Sequence, residues 1–247
     1  PCNHACPAGE NIQAWLALAQ DKKFEEAWQV IMQDNPMPAI MGRVCYHPCE
    51  DGCNRTAIDS PVSIHAIERF LGDEAIHKNW KVKFEKKPEG KRVLIIGAGP
   101  SGLSAAYHLT RMGHSVEIHE AGPVAGGMMH FGIPAYRLPR HILDYEIQRI
   151  TAMGVKIVLN HKVEDVLSEK KTGGFDAVFI AVGAHLSKKI DIPSNDAVKI
   201  FDAITFLKQV EQGKKPKIGR RVAIYGGGNT AMDVARTAKR MGASEAM

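Results

Sequence analysis

The feature that most constrains the fold is a unit that occurs twice: a short apolar run, a cluster of glycines and then a helix-like segment. The first unit begins at residues 92–96 and the second at residues 221–225. A strand that passes through a glycine turn into a helix is half of a crossover unit, which needs parallel neighbours to bury its faces. Two such units predict an α/β chain with two Rossmann-like dinucleotide-binding domains.

The first glycine turn has the spacing that a dinucleotide site needs. Gly97 permits a tight turn, Gly99 lets the backbone approach a pyrophosphate, and Gly102 lets helix and strand pack closely. N–H groups at the start of the helix then face the phosphates. Glu120 ends the next strand, 23 residues after Gly97, and can accept hydrogen bonds from both ribose hydroxyls. The predicted cofactor-binding residues of this turn are Gly97, Ala98, Gly99, Pro100, Ser101 and Gly102.

Two further features favour FAD as the ligand of this first site. A glycine pair, Gly126 and Gly127, follows the acidic strand, as is familiar from flavoproteins with two dinucleotide sites. An apolar strand predicted at residues 176–182 resembles the strand that returns to the flavin in the same folds. Other strands are predicted at residues 115–119 and 155–159.

The second glycine turn repeats the pattern, with Ala231 where a third glycine could lie. Asn229 and Thr230 can cap the helix that starts there or hydrogen-bond a phosphate, and capping alone is the alternative to a nucleotide site. An FAD-type site upstream favours NADPH or NADH at this turn. The two nucleotides are not separated, because the strand that would meet the adenine ribose is expected beyond Met247. The predicted residues are Gly227, Gly228, Asn229 and Thr230.

All five cysteines lie within the first 53 residues, at Cys2, Cys6, Cys45, Cys49 and Cys53. An odd number at such density argues against a disulfide framework and for metal ligation in a reducing compartment. The spacing from Cys2 to Cys6, with a proline directly after it, matches the end of the bacterial ferredoxin run. Structural zinc is the alternative, but zinc sites favour matched cysteine pairs, so an iron–sulfur site is favoured.

The chain is predicted to divide into four parts. Residues 1–80 form a helical iron–sulfur domain, residues 81–91 a charged linker, residues 92–190 the FAD-binding domain, and residues 191–247 an incomplete start of the NAD(P)H-binding domain. The second Rossmann-like unit stops after one strand and one helix, and the chain begins inside a cysteine motif. A longer protein is therefore expected.

In residues 1–80, apolar residues recur at helical spacing. Helices are predicted at residues 11–20, 24–33 and 63–78. Pro36, Pro38 and Gly42 predict that the segment between the last two helices is a cysteine-bearing loop.

Charge and composition limit the classes of partner that the chain is expected to bind. The net charge is +5, and the lysine-rich stretches 81–92, 188–189 and 214–221 contain one aromatic residue, Phe84, whereas a stacking surface for nucleic acid needs several. No apolar run approaches the roughly 20 residues of a membrane span, and no secretion signal precedes the first helix. The sequence therefore predicts a cytoplasmic protein that binds no nucleic acid and has no membrane span.

Segments along the whole chain together resemble one family. They are residues 2–7, 42–55, 61–70, the first glycine turn, 132–139 and 226–231. In this order they are similar to the small subunit of NADPH-dependent glutamate synthase, and the same module resembles the N-terminal part of dihydropyrimidine dehydrogenase. The resemblance implies an N-terminal all-α iron–sulfur domain in front of a pyridine nucleotide-disulfide oxidoreductase-like flavoprotein.

The resemblance also implies two 4Fe-4S clusters. Cys2 and Cys53 would serve one, together with two further cysteines that this chain does not contain. The second cluster would be held by Cys6, Cys45 and Cys49, with the carboxylate of Glu68 as an unusual fourth ligand.

For FAD, the resemblance adds contacts beyond the glycine turn. It implicates the carboxylate of Glu120, then Gly127 and Met128, the side chain of Arg137, and the main chain near Val163. A guanidinium can pair with a pyrophosphate oxygen, and a surface salt bridge is the alternative for Arg137.

The predicted function is transfer of electrons from NAD(P)H to FAD, through 4Fe-4S clusters, to a partner such as a large catalytic subunit. A flavin-dependent disulfide reductase is close to excluded, because no cysteine stands at Met128 and Met129 or before the second turn. A non-catalytic electron-relay or docking subunit of another oxidoreductase remains the alternative. No general acid or base is nominated, because the redox chemistry belongs to the cofactors.

Overall fold

The computed structural model describes residues 1–84, 90–184 and 199–247. The helices of its N-terminal part are α1 (Cys2–Ala5), α2 (Ile12–Gln20), α3 (Phe24–Ile31), α4 (Pro38–Val44), α5 (Pro48–Asp51) and α6 (Ile64–His77), with a 3₁₀ turn at Asn54–Ala57. The first α/β unit contains β1 (Arg92–Ile96), α7 (Pro100–Arg111), β2 (Ser115–His119), α8 (Met128–Phe131), α9 (Arg140–Thr151), β3 (Lys156–Val158), α10 (Val166–Gly173) and β4 (Ala177–Ile180). The elements after residue 198 are α11 (Ala203–Glu211), β5 (Arg221–Val222), α12 (Asn229–Arg240) and β6 (Glu245–Ala246).

Helices α2, α3 and α6 confirm the three helices predicted in the N-terminal part, to within two residues at each end. The side chain of Asn11 caps α2 by accepting a hydrogen bond from the N–H of Ala14, which satisfies a donor of the first turn. The faces predicted to be apolar are buried, with Trp15 on α2 and Trp28 on α3 fully inaccessible to solvent. Burial of these large side chains is the main stabilising term for short helices.

The segment around Pro38 and Gly42 is a helix, so the predicted loop is wrong. Pro38 occupies the first turn of α4, where a missing N–H costs nothing. Gly42 allows α4 to lie directly on α6, because a Cβ there would sit 2.5 Å from the backbone nitrogen of Arg69. A Cβ on Gly72 of α6 would likewise sit 2.4 Å from the nitrogen of Ala39. Both glycines allow α4 and α6 to cross closely, and this crossing cannot be recognised from the sequence alone.

Replacing Gly72 with alanine is expected to destabilise the protein by about 2 kcal/mol. Alanine gains about 1 kcal/mol of helix propensity, but forcing apart two packed backbones costs more than that gain. Urea unfolding monitored by circular dichroism measures the difference. The exposed His77, on the last turn of the same helix, provides the control, since His77→Ala should shift stability by less than about 0.5 kcal/mol. Equal stability of Gly72→Ala and wild type would contradict the close crossing.

The first α/β unit is a parallel sheet with strand order β3-β2-β1-β4. Val93 of β1 pairs with Val116 on one side and Ala177 on the other. Residues 93–96 are buried, as expected for the central strand of a parallel sheet with helices packed on it. Strand β2 matches its prediction, whereas β3 and β4 are shorter than the predicted 155–159 and 176–182.

The second α/β unit contains only a two-residue strand pair among the described residues. Arg221 and Val222 of β5 pair in parallel with Glu245 and Ala246 of β6. Within the predicted strand at 221–225, the assigned strand is Arg221–Val222, and the N–H of Ile224 donates a further hydrogen bond to the carbonyl of Met247 at 2.6 Å. The predicted boundary between residues 190 and 191 and the lysines at 188–189 lie outside the described residues, as does part of the linker.

One hydrophobic core runs through both the helical part and the first α/β unit. Its members include Trp28 and Ile31 from α3, and Leu103 and Tyr107 from α7. The hydroxyl of Tyr107 donates a hydrogen bond to the carbonyl of Met32, with an O···O distance of 2.5 Å. This shared packing fixes the cysteine-bearing helices relative to the glycine turn. Within the described ranges, no helix combines the length and the apolar character that crossing a bilayer requires.

Candidate functional site

The first glycine turn has the close contacts that its sequence predicts. Gly97 has a φ of +106°, and a Cβ there would lie 2.4 Å from the carbonyl oxygen of Ala181. A Cβ on Gly102 would lie 1.9 Å from the carbonyl oxygen of Gly97, which no side chain tolerates. The turn therefore requires glycine at both positions. It places the backbone of residues 97–102 at the carboxyl end of β1, beside β4.

Helix α7 starts at this turn with its N-terminus available to an anion. Gly99 is the N-cap and Pro100 the first helical residue, and no described side chain caps the helix. Unpaired N–H groups and the positive end of the helix dipole favour a phosphate at this position. Ser101 and Gly102, in the first turn, supply those N–H groups.

Glu120 lies over the turn, as its spacing predicts. One carboxylate oxygen accepts a hydrogen bond from the N–H of Ala98 at 2.7 Å, and the other accepts one from Gly122 at 2.7 Å. These contacts fix the carboxylate against the backbone of the turn. Each oxygen keeps acceptor capacity for a further donor, such as a hydroxyl.

The Gly126–Gly127 pair is folded back onto the first turn. The N–H of Gly126 donates to the carbonyl of Ala98 at 2.8 Å. Gly127 has a φ of +51°, and a Cβ on it would lie 2.9 Å from the Cα of Gly99. Met128 then begins α8. The fold thus brings together the predicted residues of the glycine turn, Glu120, Gly127 and Met128.

Arg137 and Val163 lie in different surroundings. The guanidinium of Arg137 forms an ion pair at 2.6 Å with Asp233, a buried residue of α12. Val163 packs against the small apolar cluster of Leu94, Ile96 and Phe175 beside the sheet. The salt-bridge alternative describes the contact of Arg137 in this structure, which is formed through Nη1.

The second glycine turn is open and exposed. Gly226 has a φ of +130°, and no described heavy atom lies within 4 Å of a Cβ built on Gly227 or Gly228. Gly228 is the N-cap of α12, without a described side-chain cap. The capping role considered for Asn229 and Thr230 is therefore wrong, because both residues lie inside the first turn of the helix. Their side chains stay exposed beside a free helix N-terminus.

The cysteines are distributed over the ends of three short helices. Cys2 lies in α1 and Cys6 follows it, Cys45 directly follows α4, Cys49 lies in α5, and Cys53 precedes the 3₁₀ turn. Helices α1 and α5 are packed together, since a Cβ on Gly52 would lie 3.2 Å from that of Ala5. Cys49 is buried, with 7% of its surface exposed.

Three of the thiols interact electrostatically with each other. Burial, and then the neighbouring thiols of Cys6 and Cys45, raise the pKa of Cys49 to about 12. Burial also raises the pKa of Cys45, although its sulfur accepts a hydrogen bond from the N–H of His47 at 3.4 Å. Thiolates at these positions need a compensating positive centre, which bound iron provides.

Glu68 is buried next to these thiols, with only 6% of its surface exposed. Burial, and then the charge of Glu10, raise its pKa well above the ordinary value. Its carboxylate accepts a hydrogen bond at 2.7 Å from the side-chain amide of Asn35, which also donates to Glu10 at 3.0 Å. No motif points to Glu10 or Asn35, because Asn35 lies 25 positions from Glu10 and 33 positions from Glu68.

The five sulfurs do not form a group of three that could hold a single metal ion. Thiolates on one tetrahedral zinc ion lie about 3.8 Å apart. In the described part of the chain, which includes all five cysteines, no three sulfurs lie within 4.8 Å of one another. Each thiolate of a 4Fe-4S cluster binds a separate iron atom, so the sulfurs of a cluster need not lie as close together as those on one ion. The residues that would hold such a group are Cys6, Cys45, Cys49 and Glu68.

A second buried acid couples the helical part to the dinucleotide unit. Glu146 of α9 is fully buried, accepts a hydrogen bond from the N–H of Ala39 at 3.1 Å, and pairs with Arg149. Burial raises its pKa to about 7, because the loss of hydration outweighs the attraction of Arg149. The guanidinium of Arg149 also lies over the ring of Trp28.

Glu146→Gln is expected to flatten the dependence of stability on pH. The folded-state pKa, about 7, exceeds the ordinary value of 4.5, so the folded protein holds the proton more tightly and loses stability as the pH rises between these values. From pH 5 to pH 8 the wild type should lose about 2–3 kcal/mol more than the variant. Urea midpoints measured without oxygen test this. The exposed Glu164→Gln variant should follow the wild type, and parallel curves for all three proteins would contradict the assignment.

Comparison with known families gives two matches that together cover most of the chain. Residues 1–80 match the family described as dihydropyrimidine dehydrogenase domain II, 4Fe-4S cluster. Residues 91–247 match the pyridine nucleotide-disulphide oxidoreductase family.

Characterised relatives are similar over the whole chain. The chain is 40% identical over 271 residues to the beta subunit of NADP(+)-dependent formate dehydrogenase from Moorella thermoacetica, covering 99% of this chain and 38% of that protein. It is 40% identical over 252 residues to the beta subunit of NADPH-Fe(3+) oxidoreductase from Geobacter sulfurreducens. That match also covers 99% of this chain and 38% of the relative. It is 36% identical to the small chain of NADPH glutamate synthase from Escherichia coli, and the match covers 98% of this chain and 54% of that protein. The chain thus spans well under two thirds of the length of these relatives.

Solved structures show the same fold. FprA, an oxidoreductase of Mycobacterium tuberculosis whose structure was determined with NADPH, has a TM-score of 0.51 at 24% identity, covering 60% of this chain and 36% of that one. Together the comparisons confirm the predicted fold class, the resemblance, the oxidoreductase class, and the cofactor types: an iron–sulfur cluster, FAD and a pyridine nucleotide. The chain belongs to the pyridine nucleotide-disulphide oxidoreductase family and carries a 4Fe-4S domain of the dihydropyrimidine dehydrogenase type at its N-terminus.

Proposed function

We propose that this chain is the electron-input part of a larger oxidoreductase, which takes electrons from NADPH and passes them to a catalytic partner subunit. The observation that carries the proposal is the single hydrophobic core that joins the cysteine-bearing helices to the FAD-type turn. Efficient electron transfer needs cofactors held at fixed separation. Packing of Trp28 and Ile31 against Leu103 and Tyr107 provides a rigid connection of that kind.

Residues of the first α/β unit bind and orient the flavin in this proposal. The N–H groups at the start of α7 would receive the pyrophosphate, and Glu120 would receive the ribose hydroxyls beside Ala98. Gly127 and Met128 would line the same ligand. When bound, FAD exchanges two electrons with a pyridine nucleotide and single electrons with an iron–sulfur cluster.

The pyridine nucleotide site is proposed at the open second turn, from Gly227 to Thr230. Its exposed backbone and free helix N-terminus suit a phosphate group. NADPH is preferred over NADH because the names of all three relatives described above include NADP or NADPH. The ligand sets are proposed as Cys6, Cys45, Cys49 and Glu68 for one cluster, and Cys2 with Cys53 for another that needs further cysteines.

The partner is proposed to be a large catalytic subunit of the glutamate synthase type. Three of the relatives are named as subunits or small chains, which supports a role within an assembly. We also propose that residues 1–80, 92–190 and 191–247 each bind their own cofactor, in a cytoplasmic protein.

The experiment starts with the full-length protein purified without oxygen. Its absorption spectrum is recorded while iron, zinc and flavin are assayed on the same sample. Flavin bands over a broad brown absorption that NADPH bleaches, with reduction of an added dye, would support the proposal. Bleaching by dithionite but not by NADPH or NADH would instead indicate the electron-relay alternative. Zinc in place of iron, with no flavin, would overturn both.

A further inference from the structure

Two histidines and a glutamate converge at the carboxyl edge of the first sheet. His119 is the last residue of β2, His161 follows β3, and Glu169 lies in α10. One carboxylate oxygen of Glu169 lies 2.9 Å from Nδ1 of His119 and 2.8 Å from Nε2 of His161. In the described ranges this is the one three-membered group whose potential ligand atoms all lie within 4.8 Å of one another.

The other ring nitrogen of His119, Nε2, is already hydrogen-bonded. Its Nε2 lies 3.0 Å from a carboxylate oxygen of Glu117, which also accepts a hydrogen bond from Lys156 at 3.1 Å. An ionised carboxylate can only accept, so in the neutral imidazole the proton lies on Nε2, and Nδ1, the nitrogen nearer to Glu169, keeps its lone pair. Histidines that bind metal ions commonly donate their other N–H to a carboxylate in this way.

Nδ1 of His119 is left without a hydrogen bond. His119 is buried, with 6% of its surface exposed, and this nitrogen has no hydrogen-bond partner among the described residues despite the short distance to Glu169. Buried nitrogen atoms normally have a partner. The ring of Phe175 covers another side of His119, with ring centroids 6.1 Å apart.

We propose that His119 Nδ1, His161 Nε2 and a Glu169 oxygen bind a divalent transition-metal ion of the zinc class. Two imidazoles and one carboxylate form a donor set that zinc accepts readily, with water completing the tetrahedron. Ligands of one tetrahedral zinc ion lie about 3.3 Å apart, so a shift of a few tenths of an ångström admits the ion. Glu117 orients His119 from outside the coordination sphere.

The alternative is a hydrogen-bond network without metal. A neutral His161 can donate its Nε2–H to Glu169 at 2.8 Å, but that arrangement leaves the buried Nδ1 of His119 without a partner among the described residues. A single divalent ion provides the positive charge at one point and uses the lone pairs that converge there.

The site does not depend on the proposed electron-transfer function. It joins three elements next to Glu120, because the N–H of His161 donates a hydrogen bond to the carbonyl of Glu120 at 2.9 Å. A bound ion would connect the end of β2, the loop after β3 and α10. Its expected role is to hold the segment that carries Glu120.

The test is zinc binding by the full-length protein, purified without oxygen and dialysed against EDTA. Wild type, His161→Gln and Glu169→Gln are titrated with Zn²⁺ by calorimetry, with His141→Gln as the control. His141 is an exposed histidine on α9, outside the cluster. Wild type and control should bind one zinc ion more than the two ligand variants, whose affinity at this site should fall by about 100-fold or more.

A second measurement separates coordination from a loss of folding. Zinc at saturation should raise the melting temperature of wild type and of the control by several degrees, and should leave His161→Gln unchanged. Glu117→Gln keeps an acceptor for His119 and should weaken zinc binding by about tenfold. Equal zinc uptake by wild type, His161→Gln and Glu169→Gln, with all three folded, would overturn the site.

Discussion

Replacing Gly102 with alanine is expected to yield a protein that no longer retains FAD. The new Cβ would lie 1.9 Å from the carbonyl oxygen of Gly97, so helix α7 must move away from the turn. That movement displaces the N–H groups at the start of the helix, which the proposed pyrophosphate contact needs. The steric cost, at least about 3 kcal/mol, exceeds the gain of about 1 kcal/mol in helix propensity.

Flavin content per chain, measured after gel filtration, provides the readout. Gly219→Ala is a matched control, since the nearest atom to a Cβ there is the carbonyl oxygen of Arg221 at 3.4 Å, an ordinary contact. This variant should keep the flavin content of the wild type. Full flavin occupancy in Gly102→Ala would show that FAD is not bound at this turn.

Replacing Cys49 with serine should remove the iron of one cluster, about four atoms per chain. Cys49 is the most buried of the thiols, and its pKa of about 12 shows that the pocket disfavours an uncompensated thiolate. A serine hydroxyl is a much weaker ligand for iron than a thiolate. Iron analysis and electron paramagnetic resonance of the dithionite-reduced protein measure the loss.

Cys53→Ser is the companion variant. Hydrogen bonds from the backbone of Val62 and Arg55 lower the pKa of Cys53, in contrast to Cys49. Since the resemblance places Cys53 at the other cluster, Cys53→Ser should keep the signal that Cys49→Ser loses. If Cys49→Ser held as much iron as the wild type, the assignment of Cys6, Cys45 and Cys49 to one cluster would be wrong.

The sequence was most informative where a backbone requirement dictates the residue. The turn at Gly97 and Gly102 has contacts that permit only glycine, and Glu120 lies over Ala98 as its spacing indicates. Strands β1 and β2 coincide with their predicted limits. The backbone requirements of such a turn depend on a few residues that are close in the sequence, so they can be recognised without knowing the fold.

Other features depend on partners that are distant in the sequence. Gly42 was interpreted as a helix breaker, although it lies against Arg69, and Arg137 pairs with Asp233, 96 positions away. The contact of Glu146 with Ala39 spans 107 positions. No periodicity or motif encodes such pairs, because each depends on how whole elements pack.

The single core shared by the helical part and the first α/β unit has a thermodynamic consequence. Where side chains such as Trp28 and Tyr107 belong to one packed interior, the two parts gain and lose their structure together. Oxidative loss of a cluster from the N-terminal helices would therefore loosen flavin retention as well. The two cofactor types would then be lost together, and a damaged chain would fail as a whole instead of persisting with half of its redox centres.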